Sequence, residues 1–413
     1  MQNSIKYISQ ILFKVTVSFA LIIAMVFFCL IPPVTALASA STTAPIAVLM
    51  DFDTGEILFE RNMEQRWIPA SMTKILTAFI VYQEIEAGNL AFDTELVVSE
   101  NAARISASGR LSGINVRMRE GDLVDVETLL RLMMIPSDNI SCIVVAEHIS
   151  GSEEAFLERM NETAAELGMY GTFSNSHGAG IHHTNAYSIA ILIREFITRY
   201  PDILRITAMP SVNFGGRTFN STNHLVRGTA FEGTDGFKTG SLRQARWNHS
   251  TTAERGGRRL IAVVMNTPTN AARQQQSRLL LNYGFAELAR REAAITDSMR
   301  VHLHGNLVSL DTSPRLYRGK VMLPFDSLSE RVGRSAIINE EHGIVTLSSP
   351  VSRDITLFID RNLVIVNNVP REIDSPGKIF DGEIFVSLDF VGLITGTIGT
   401  WNKNAGLILF RAG

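Results

Sequence analysis

Three short motifs in the sequence contain the residue types that acyl transfer requires. They are Ser71-Met72-Thr73-Lys74, Ser137-Asp138-Asn139 and Lys238-Thr239-Gly240, in that order along the chain. A serine hydroxyl is a poor nucleophile unless a base lies beside it, and residues three apart on a helix share one face. The spacing therefore predicts that the Lys74 amine reaches the Ser71 hydroxyl and accepts its proton.

The other motif residues can supply the remaining functions of such a site. Lys74 acts as a base only if its pKa falls well below about 10.4, and partial burial or a second cation, such as Lys238, would lower it. Ser137 can relay a proton toward a leaving amine, and Asn139 can hold a backbone amide of the substrate. Lys238 and Thr239 can bind a terminal carboxylate.

The backbone of the third motif has a separate predicted role. Gly240 keeps the strand edge flat, so that an extended peptide can pair along it. The N–H groups of Ser71 and Ser241 would form an oxyanion hole, in which each donor is typically worth about 2.7–4 kcal/mol. Each motif alone is unspecific, because S-x-x-K recurs at Ser375–Lys378. The ordered trio, in context, favours catalysis over a simple helix-capping serine and a solvated lysine.

The elements that must position these motifs follow from local patterns. Pro69 and Gly88 bracket an apolar periodic stretch, which predicts a helix over about 70–87 with Ser71 in its first turn. The second motif follows Pro136 in a turn between predicted helices, and Lys238 lies on a predicted strand. Helices are predicted at 126–135, 139–149, 152–167, 186–199 and 272–294, and strands at 46–50, 56–60, 212–219, 235–241 and 258–266. This mixture predicts an α/β or α+β enzyme domain up to about residue 297.

Composition excludes several classes of protein. The chain has 413 residues, of which 46% are apolar and 19% charged, with a formal net charge of −3 and 2 cysteines. A disordered chain would be less apolar, and nucleic-acid binding would require a basic patch. Two cysteines cannot form a disulfide scaffold or a Cys-type zinc site. The length indicates two or three domains.

The first 38 residues have the layout of a secretory signal peptide. Lys6 and Lys14 precede an apolar run from Val15 to Ile31, and small residues at 36–40 offer a cleavage site. We expect this segment to be removed and the protein to be exported, extracellular or associated with the cell wall. A retained signal anchor is the alternative, and it would be the only membrane contact. After cleavage Cys142 is the only thiol, so no disulfide can form within the chain.

The tail, residues 298–413, is predicted to be a duplicated β-rich domain. The segments Val301–Leu347 and Thr356–Phe410 repeat the same order of strands, turns and a short helix, with a period near 55 residues. Two copies indicate a compact duplicated domain rather than a solenoid.

The region from about 45 to 290 resembles the serine D-alanyl-D-alanine carboxypeptidases, which are low-molecular-mass penicillin-binding proteins of the S11 peptidase type. The resemblance extends beyond the three motifs to Leu49–Leu58, Trp67–Ala70, Val98–Ala103, Ala146–His148, Asn175–Gly178 and Thr234–Phe237. It implies a penicillin-binding/β-lactamase-like transpeptidase fold, with an antiparallel sheet flanked by helices and a helical subdomain. Residues 39–297 are therefore expected to form the catalytic domain.

The resemblance also implies a reaction and its partners. Ser71 is the acyl-forming nucleophile and Lys74 the base, while Ser137 and Asn139 complete the centre and Lys238 binds the substrate carboxylate. The terminal D-alanine of a peptidoglycan stem peptide is removed through an acyl-enzyme, in cell-wall biosynthesis and the control of cell shape. No metal or organic cofactor is needed, and penicillins are expected to acylate Ser71.

Two features depart from the family pattern. Arg246 occupies the place of a family glycine after the third motif, which puts the turn geometry there in question. The arginine that helps to bind the substrate carboxylate is hard to place: Arg273 is a candidate, although an ordinary surface arginine is the favoured interpretation. Both halves of the tail resemble the copper amine oxidase-like N-terminal (stalk) domain of bacterial surface proteins, at Gly319–Pro324 and Gly382–Leu388. We interpret the tail as a spacer or wall-interaction module without copper.

Three alternative functions stay open. A DD-endopeptidase that acts on cross-links uses the same centre. A non-catalytic peptidoglycan-binding protein would keep the fold, although the intact motifs argue against it. A β-lactamase needs a deacylating glutamate, and no clear E-x-x-x-N segment follows Asn139.

Overall fold

The computed structural model describes residues 42–227, 231–329, 335–339, 342–349, 352–380 and 382–412. The expected signal segment, residues 1–38, lies outside these ranges. Within them, each helix is either too short or too polar to cross a lipid bilayer.

Residues 42–296, here called the main domain, combine one central sheet with helices. The strands are β1 (Ile46–Asp51), β2 (Ile57–Arg61), β3 (Glu95–Val97), β4 (Leu123–Asp125), β5 (Ser211–Phe214), β6 (Arg217–Asn220), β7 (Thr234–Gly236), β8 (Thr239–Leu242), β9 (Arg246–Arg255) and β10 (Arg258–Thr267). The helices are α1 (Lys74–Glu86), α2 (Glu100–Ser108), α3 (Val126–Met134), α4 (Ile140–Ser150), α5 (Glu153–Glu166), α6 (Ala186–Arg199), α7 (Ile203–Thr207) and α8 (Asn270–Thr296). Short 3-10 helices span Ala70–Thr73 and His224–Val226.

The central sheet is antiparallel, in the order β2-β1-β10-β9-β7, with β8 also paired to β9. Both faces are covered, and successive residues of β1 alternate between two apolar clusters. Ile46, Val48 and Met50 pack into the larger cluster with the helices around α1, whereas Ala47 and Leu49 pack against α8. The apolar run of β1 thus has partners on both sides, and the predicted antiparallel sheet flanked by helices is confirmed.

The region around Lys238 differs from the single predicted strand over 235–241. Phe237 has a φ of 144°, outside the extended range, so the chain forms two short strands, β7 and β8. Lys238 nevertheless stays in the sheet, because its N–H donates to Ser250 O at 3.1 Å and its C=O accepts from Ser250 N–H at 2.8 Å. Their partner β9 was not among the predicted strands, since its buried positions are largely polar and do not alternate with apolar residues.

Both halves of the tail place a run of strands before one short helix and two further strands, but the run has four strands in the first half and five in the second. The first half contains β11 (Arg300–Leu303), β12 (Asn306–Val308), β13 (Arg315–Tyr317), β14 (Lys320–Pro324), α9 (Phe325–Ser329), β15 (Ser335–Asn339) and β16 (Ile344–Ser349). The second half contains β17 (Ser352–Phe358), β18 (Leu363–Val366), β19 (Val369–Glu372), β20 (Lys378–Phe380), β21 (Glu383–Ser387), α10 (Leu388–Thr395), β22 (Thr397–Asn402) and β23 (Leu407–Ala412). Strands from the two halves pair at β14–β21, β16–β17 and β11–β23, so the halves share one hydrophobic core.

The tail packs against the turn between β9 and β10, here called the junction hairpin (Arg255–Arg258). A Cβ added to Gly257 would lie 1.9 Å from the Tyr317 ring, so the ring occupies the space that a side chain would need. On α8, the Glu292 carboxylate accepts a hydrogen bond from the Leu316 N–H at 2.6 Å. These contacts attach the β13–β14 hairpin of the tail to the main domain.

Substitution of Gly257 tests this attachment. Gly257 and its neighbour Gly256 both have positive φ, +73° and +55°, but a Cβ on Gly256 meets nothing within 4 Å. Each Gly→Ala change therefore costs about 1–2 kcal/mol of backbone strain, and Gly257→Ala adds about 1–3 kcal/mol of overpacking against Tyr317. We expect Gly257→Ala to lower the urea midpoint clearly more than Gly256→Ala. Equal midpoints would show that Tyr317 is not held against the hairpin.

Candidate active site

Ser71 lies in one 3-10 turn, Ala70–Thr73, that leads directly into α1; we call it the serine turn. Its backbone is held between two glycines from other parts of the chain. A Cβ on Gly240 would lie 2.3 Å from Pro69 O, and a Cβ on Gly178 would lie 2.0 Å from Ala70 O. Gly240, expected to keep the strand edge flat, thus also allows β8 to approach the serine turn closely.

Lys74 is the first residue of α1, a helix whose side chains are buried along nearly its whole length. The Lys74 side chain is fully buried, and its Nζ donates to Ser71 Oγ at 3.2 Å. It also donates to Asn139 Oδ1 at 2.8 Å and to His177 O at 2.5 Å. Burial lowers the pKa of Lys74, while the nearby Asp138 carboxylate opposes that shift. The structure therefore supplies the contact between amine and hydroxyl, and the lowered pKa, that the motif predicts.

The second motif is built around a buried carboxylate. Asp138 is fully buried and accepts hydrogen bonds from the Val116 N–H (2.7 Å), the Ser141 N–H (2.7 Å) and the Ser141 hydroxyl (2.6 Å). Burial raises its pKa, and these hydrogen bonds oppose the rise. Ser137, beside it, adopts the left-handed region with a φ of 75°. Sequence reasoning assigned no role to Asp138, which fixes the turn that carries Ser137 and Asn139.

The Asn139 side chain, which the sequence predicts to hold a substrate amide, forms hydrogen bonds within the protein. Its Oδ1 accepts from Lys74 Nζ, and its Nδ2 donates to Ser112 O at 2.9 Å and to Asn115 Oδ1 at 3.1 Å. The side chain therefore positions the Lys74 amine and ties it to the loop at 112–115.

Lys238 is the second fully buried amine of the site. Its Nζ donates to Thr239 O at 3.1 Å, and the Thr239 hydroxyl lies 2.6 Å from that of Thr222. Burial lowers the pKa of Lys238 well below its ordinary value, and the positive charges of Lys74 and Arg273 lower it further. Two cations lying near this buried amine thus disfavour its protonated form.

The motifs meet at a cavity of about 350 Å³. Ser71, Ser137, Thr239 and Ser241 lie in its wall, whereas Lys74, Asn139 and Lys238 are buried beside them. The full lining is Ser71, Gly113, Ile114, Pro136, Ser137, Asn220, Ser221, Thr222, His224, Arg227, Thr239, Ser241, Trp247, Asn270 and Arg273. The three motifs thus converge on one opening that a ligand can enter.

The favoured interpretation of Arg273 as a surface residue is wrong. Its side chain is only 3% exposed and lines the cavity, with Nη1 donating to Gly240 O (3.1 Å) and Asn248 O (3.0 Å). The guanidinium lies over the Trp247 ring, 5.0 Å from its centroid, and burial lowers its pKa to about 10. Only the fold reveals this position, because α8 is far from the motifs in sequence.

The turn that carries Arg246 keeps the geometry of a glycine turn. Arg246 has a φ of 56°, in the left-handed region that favours glycine, and its exposed side chain donates to Asn266 Oδ1 at 3.4 Å. Arg246 therefore adopts the left-handed conformation of a glycine, at some cost in backbone strain, and the turn keeps its shape.

Known proteins share this arrangement. Residues 34–269 match the family described as D-alanyl-D-alanine carboxypeptidase, Peptidase S11, and this match covers more than half of the chain. The chain belongs to the D-alanyl-D-alanine carboxypeptidase family. Residues 302–409 match the copper amine oxidase N-terminal domain, which confirms the resemblance seen in the tail. Among the described residues, no cluster of three or more His, Cys, Asp or Glu could hold a metal ion.

Individual members of the family are moderately similar. D-alanyl-D-alanine carboxypeptidase DacF of Bacillus subtilis is 32% identical over 252 residues, which is 59% of this chain and 62% of DacF. The chain thus spans less than two thirds of the length of this curated relative.

Solved structures of penicillin-binding proteins share the fold. PBP3 of Streptococcus pneumoniae, a peptidoglycan synthesis regulatory factor, aligns with a TM-score of 0.56 and 30% identity, over 60% of this chain and 72% of that one. Penicillin-binding protein D2 of Listeria monocytogenes, in its ampicillin-bound form, aligns with a TM-score of 0.52 and 27% identity, over 62% of this chain and all of that one.

Gly178 offers a test of how tightly the serine turn is held. Gly178 and Gly121 share a φ of +80°, but a Cβ on Gly121 meets nothing within 4 Å. Both Gly→Ala changes cost about 1–2 kcal/mol of backbone strain, and Gly178→Ala adds about 1–3 kcal/mol because its Cβ collides with Ala70 O. We expect a larger fall in unfolding free energy for Gly178→Ala, measured by urea denaturation. If the two variants unfold alike, the serine turn moves freely.

Proposed function

We propose that the protein is a serine-type D-Ala-D-Ala carboxypeptidase that removes the terminal D-alanine of peptidoglycan stem peptides. The observation that carries the proposal is the fully buried Lys74 amine, 3.2 Å from Ser71 Oγ, at the wall of an open cavity. Burial lowers the pKa of this amine, which increases the fraction of the neutral form that can accept the proton of the serine.

Acylation begins when Ser71 Oγ attacks the carbonyl carbon of the penultimate D-alanine while its proton passes to Lys74 Nζ. The N–H groups of Ser71 and Ser241 receive the developing oxyanion. Ser137 relays the proton from Lys74 to the nitrogen of the terminal D-alanine, the C–N bond breaks, and D-alanine leaves. Water, deprotonated by Lys74, then hydrolyses the ester on Ser71.

Substrate binding rests on the third motif and its neighbours. The Thr239 hydroxyl and the Arg273 guanidinium line the cavity beside Ser71 and bind the terminal carboxylate, together with the Lys238 amine, which is buried next to Thr239. Penicillins carry a carboxylate at a matching distance from a strained amide and acylate Ser71. The ester is long-lived, since the sequence has no clear counterpart of a β-lactamase deacylating glutamate.

The setting of this activity is the cell wall. Residues 39–297 are the catalytic domain, and residues 298–413 are a spacer or wall-interaction module. The substrate lies outside the cytoplasm, so the chain is exported and acts at the wall, where it contributes to cell shape.

Fluorescent penicillin labelling and D-alanine release from a stem pentapeptide test the proposal. Ser71→Ala removes the nucleophile and should lower both rates by about a thousandfold or more. Ser375→Ala removes the serine of the second S-x-x-K sequence and should change neither rate. The proposal fails if the unmodified protein neither becomes labelled nor releases D-alanine. Release of D-alanine without labelling would exclude Ser71 as the acylated group.

The pH dependence of penicillin acylation tests Lys74 as the base. The neutral amine is the reactive form, so the rate should fall about tenfold for each pH unit below the pKa of Lys74 and level off above it. Because burial lowers that pKa, the plateau should begin at a lower pH than for an exposed lysine. His177 and His182, with pKa values lowered by burial to about 3 and about 4, stay neutral throughout this range. A midpoint at or above pH 10.5, or a rate that falls as the pH rises, contradicts this assignment.

A further inference from the structure

The side chain and the main chain of Arg273 are both held to β9, at two consecutive residues. The guanidinium Nη1 donates to Asn248 O at 3.0 Å and to Gly240 O at 3.1 Å. The Arg273 carbonyl accepts a hydrogen bond from the Ser277 hydroxyl, one turn further along α8, at 3.0 Å. The same hydroxyl lies 2.9 Å from Nδ1 of His249. Through Ser277, His249 therefore ties the main chain of Arg273 to the strand that also binds its side chain.

The directions of these hydrogen bonds determine the tautomer of His249. A serine hydroxyl has one proton, and Ser277 donates it to the Arg273 carbonyl, so the Ser277 oxygen accepts from the imidazole. Nδ1 of His249 therefore carries the proton. The second ring nitrogen agrees with this assignment, because Nε2 is buried without a hydrogen-bond partner among the described residues. A proton on Nε2 would be a buried donor with nothing to accept it, which is costly.

This arrangement lies in a region that solvent does not reach. His249, Ser277 and Asn248 are fully buried, and Arg273 is nearly so. Burial lowers the pKa of His249 well below its ordinary value, and the positive charges of Arg273 and Lys238 lower it further. The imidazole is therefore neutral, and it supplies a donor to Ser277 without adding a positive charge beside the guanidinium.

The same two residues of β9 also pair with the third motif. In the antiparallel register of β8 and β9, His249 is opposite Thr239 and Asn248 is opposite Gly240. The Thr239 hydroxyl and the Arg273 guanidinium line the cavity that contains Ser71. Both groups that are proposed to bind the terminal carboxylate thus depend on one short stretch of β9 for their position.

We propose that His249 is a positioning residue for the Arg273 guanidinium: its Nδ1–H holds the Ser277 hydroxyl, which holds the Arg273 main chain. The guanidinium is thereby kept in place for the substrate carboxylate, and a group that is already fixed loses less entropy on binding. The inference rests on the proposed function and deepens it. It assigns part of the discrimination between a free carboxylate and an uncharged chain end to His249, which is not among the described residues that line the cavity.

Two forms of one peptide test the proposal: diacetyl-L-lysyl-D-alanyl-D-alanine with a free terminal carboxylate, and the same peptide with a terminal carboxamide. They differ only in the group that Arg273 binds, so the ratio of their kcat/KM values, acid over amide, measures recognition of the carboxylate. We expect the unmodified enzyme to favour the acid. Arg273→Gln should lower the ratio by about tenfold or more, as the loss of a charged hydrogen bond implies.

Variants of His249 and Ser277 then separate positioning from binding. His249→Leu removes the Nδ1–H at a similar volume, and Ser277→Ala removes the hydroxyl while keeping a residue that favours the helix. Each should lower the ratio by about three- to tenfold, because the guanidinium is no longer held in place. His249→Asn should keep most of the ratio, since an amide nitrogen can replace Nδ1 as the donor to Ser277.

Thr251→Val is the matched control on the same strand. Thr251 is also fully buried, and its hydroxyl lies 3.5 Å from that of Thr234. The variant should keep the ratio of the unmodified enzyme. Because each ratio is taken within one protein sample, a partly unfolded variant lowers both kcat/KM values equally and leaves the ratio intact. If His249→Leu does not fold, Ser277→Ala and His249→Asn decide the test.

The outcomes separate this inference from the function on which it rests. An unchanged ratio in His249→Leu or in Ser277→Ala overturns the positioning role, while release of D-alanine still upholds the carboxypeptidase. A fall in His249→Asn as large as that in His249→Leu also overturns it, as does NMR of the imidazole nitrogens that places the proton of His249 on Nε2. No hydrolysis of either peptide by the unmodified enzyme would overturn the carboxypeptidase itself.

Discussion

The rest of the structure depends on one constraint: the Lys74 amine must stay buried away from solvent and next to the Ser71 hydroxyl. A buried ammonium without a paired carboxylate is costly, so the amine is held by neutral oxygens from Ser71, Asn139 and the His177 backbone. These neutral acceptors satisfy the hydrogen bonds of the amine, but they do not stabilise its charged form as a carboxylate would. The cost of burial thus appears as a lowered pKa, which is the property that a base needs.

Each acceptor has to be fixed in turn, and much of the fold serves that purpose. Helix α1 runs through the larger apolar cluster, so its first residue cannot reach solvent. Asp138 accepts hydrogen bonds from the Val116 N–H and from Ser141, which fixes the turn that carries Asn139 beside Lys74. The serine turn lies between the Gly178 and Gly240 backbones, so the Ser71 hydroxyl has little freedom to move away from the Lys74 amine.

The sequence predicted which residue types form the site, but not where each of them lies in the fold. Residues three apart at a helix start predicted the contact between Ser71 and Lys74 because that contact depends on local spacing alone. Arg273 was misjudged, since its burial depends on how α8 crosses the sheet and on the Trp247 ring beneath its guanidinium. Strand β9 escaped prediction for a related reason: Ser250, Thr251 and Thr252 are fully buried by neighbours that are distant in sequence. Asp138 had no periodic pattern that could reveal its hydrogen bonds.

Strand β9 runs from the cavity wall to the contact between the main domain and the tail. Trp247 at its start stacks under Arg273 of the cavity, and Arg255 at its end opens the junction hairpin on which the tail packs. A strand of ten residues is about 30 Å long at its usual rise. The sheet therefore holds the Tyr317 contact of the tail at a fixed separation from the cavity wall, because a strand hydrogen-bonded on both sides cannot shorten or bend freely.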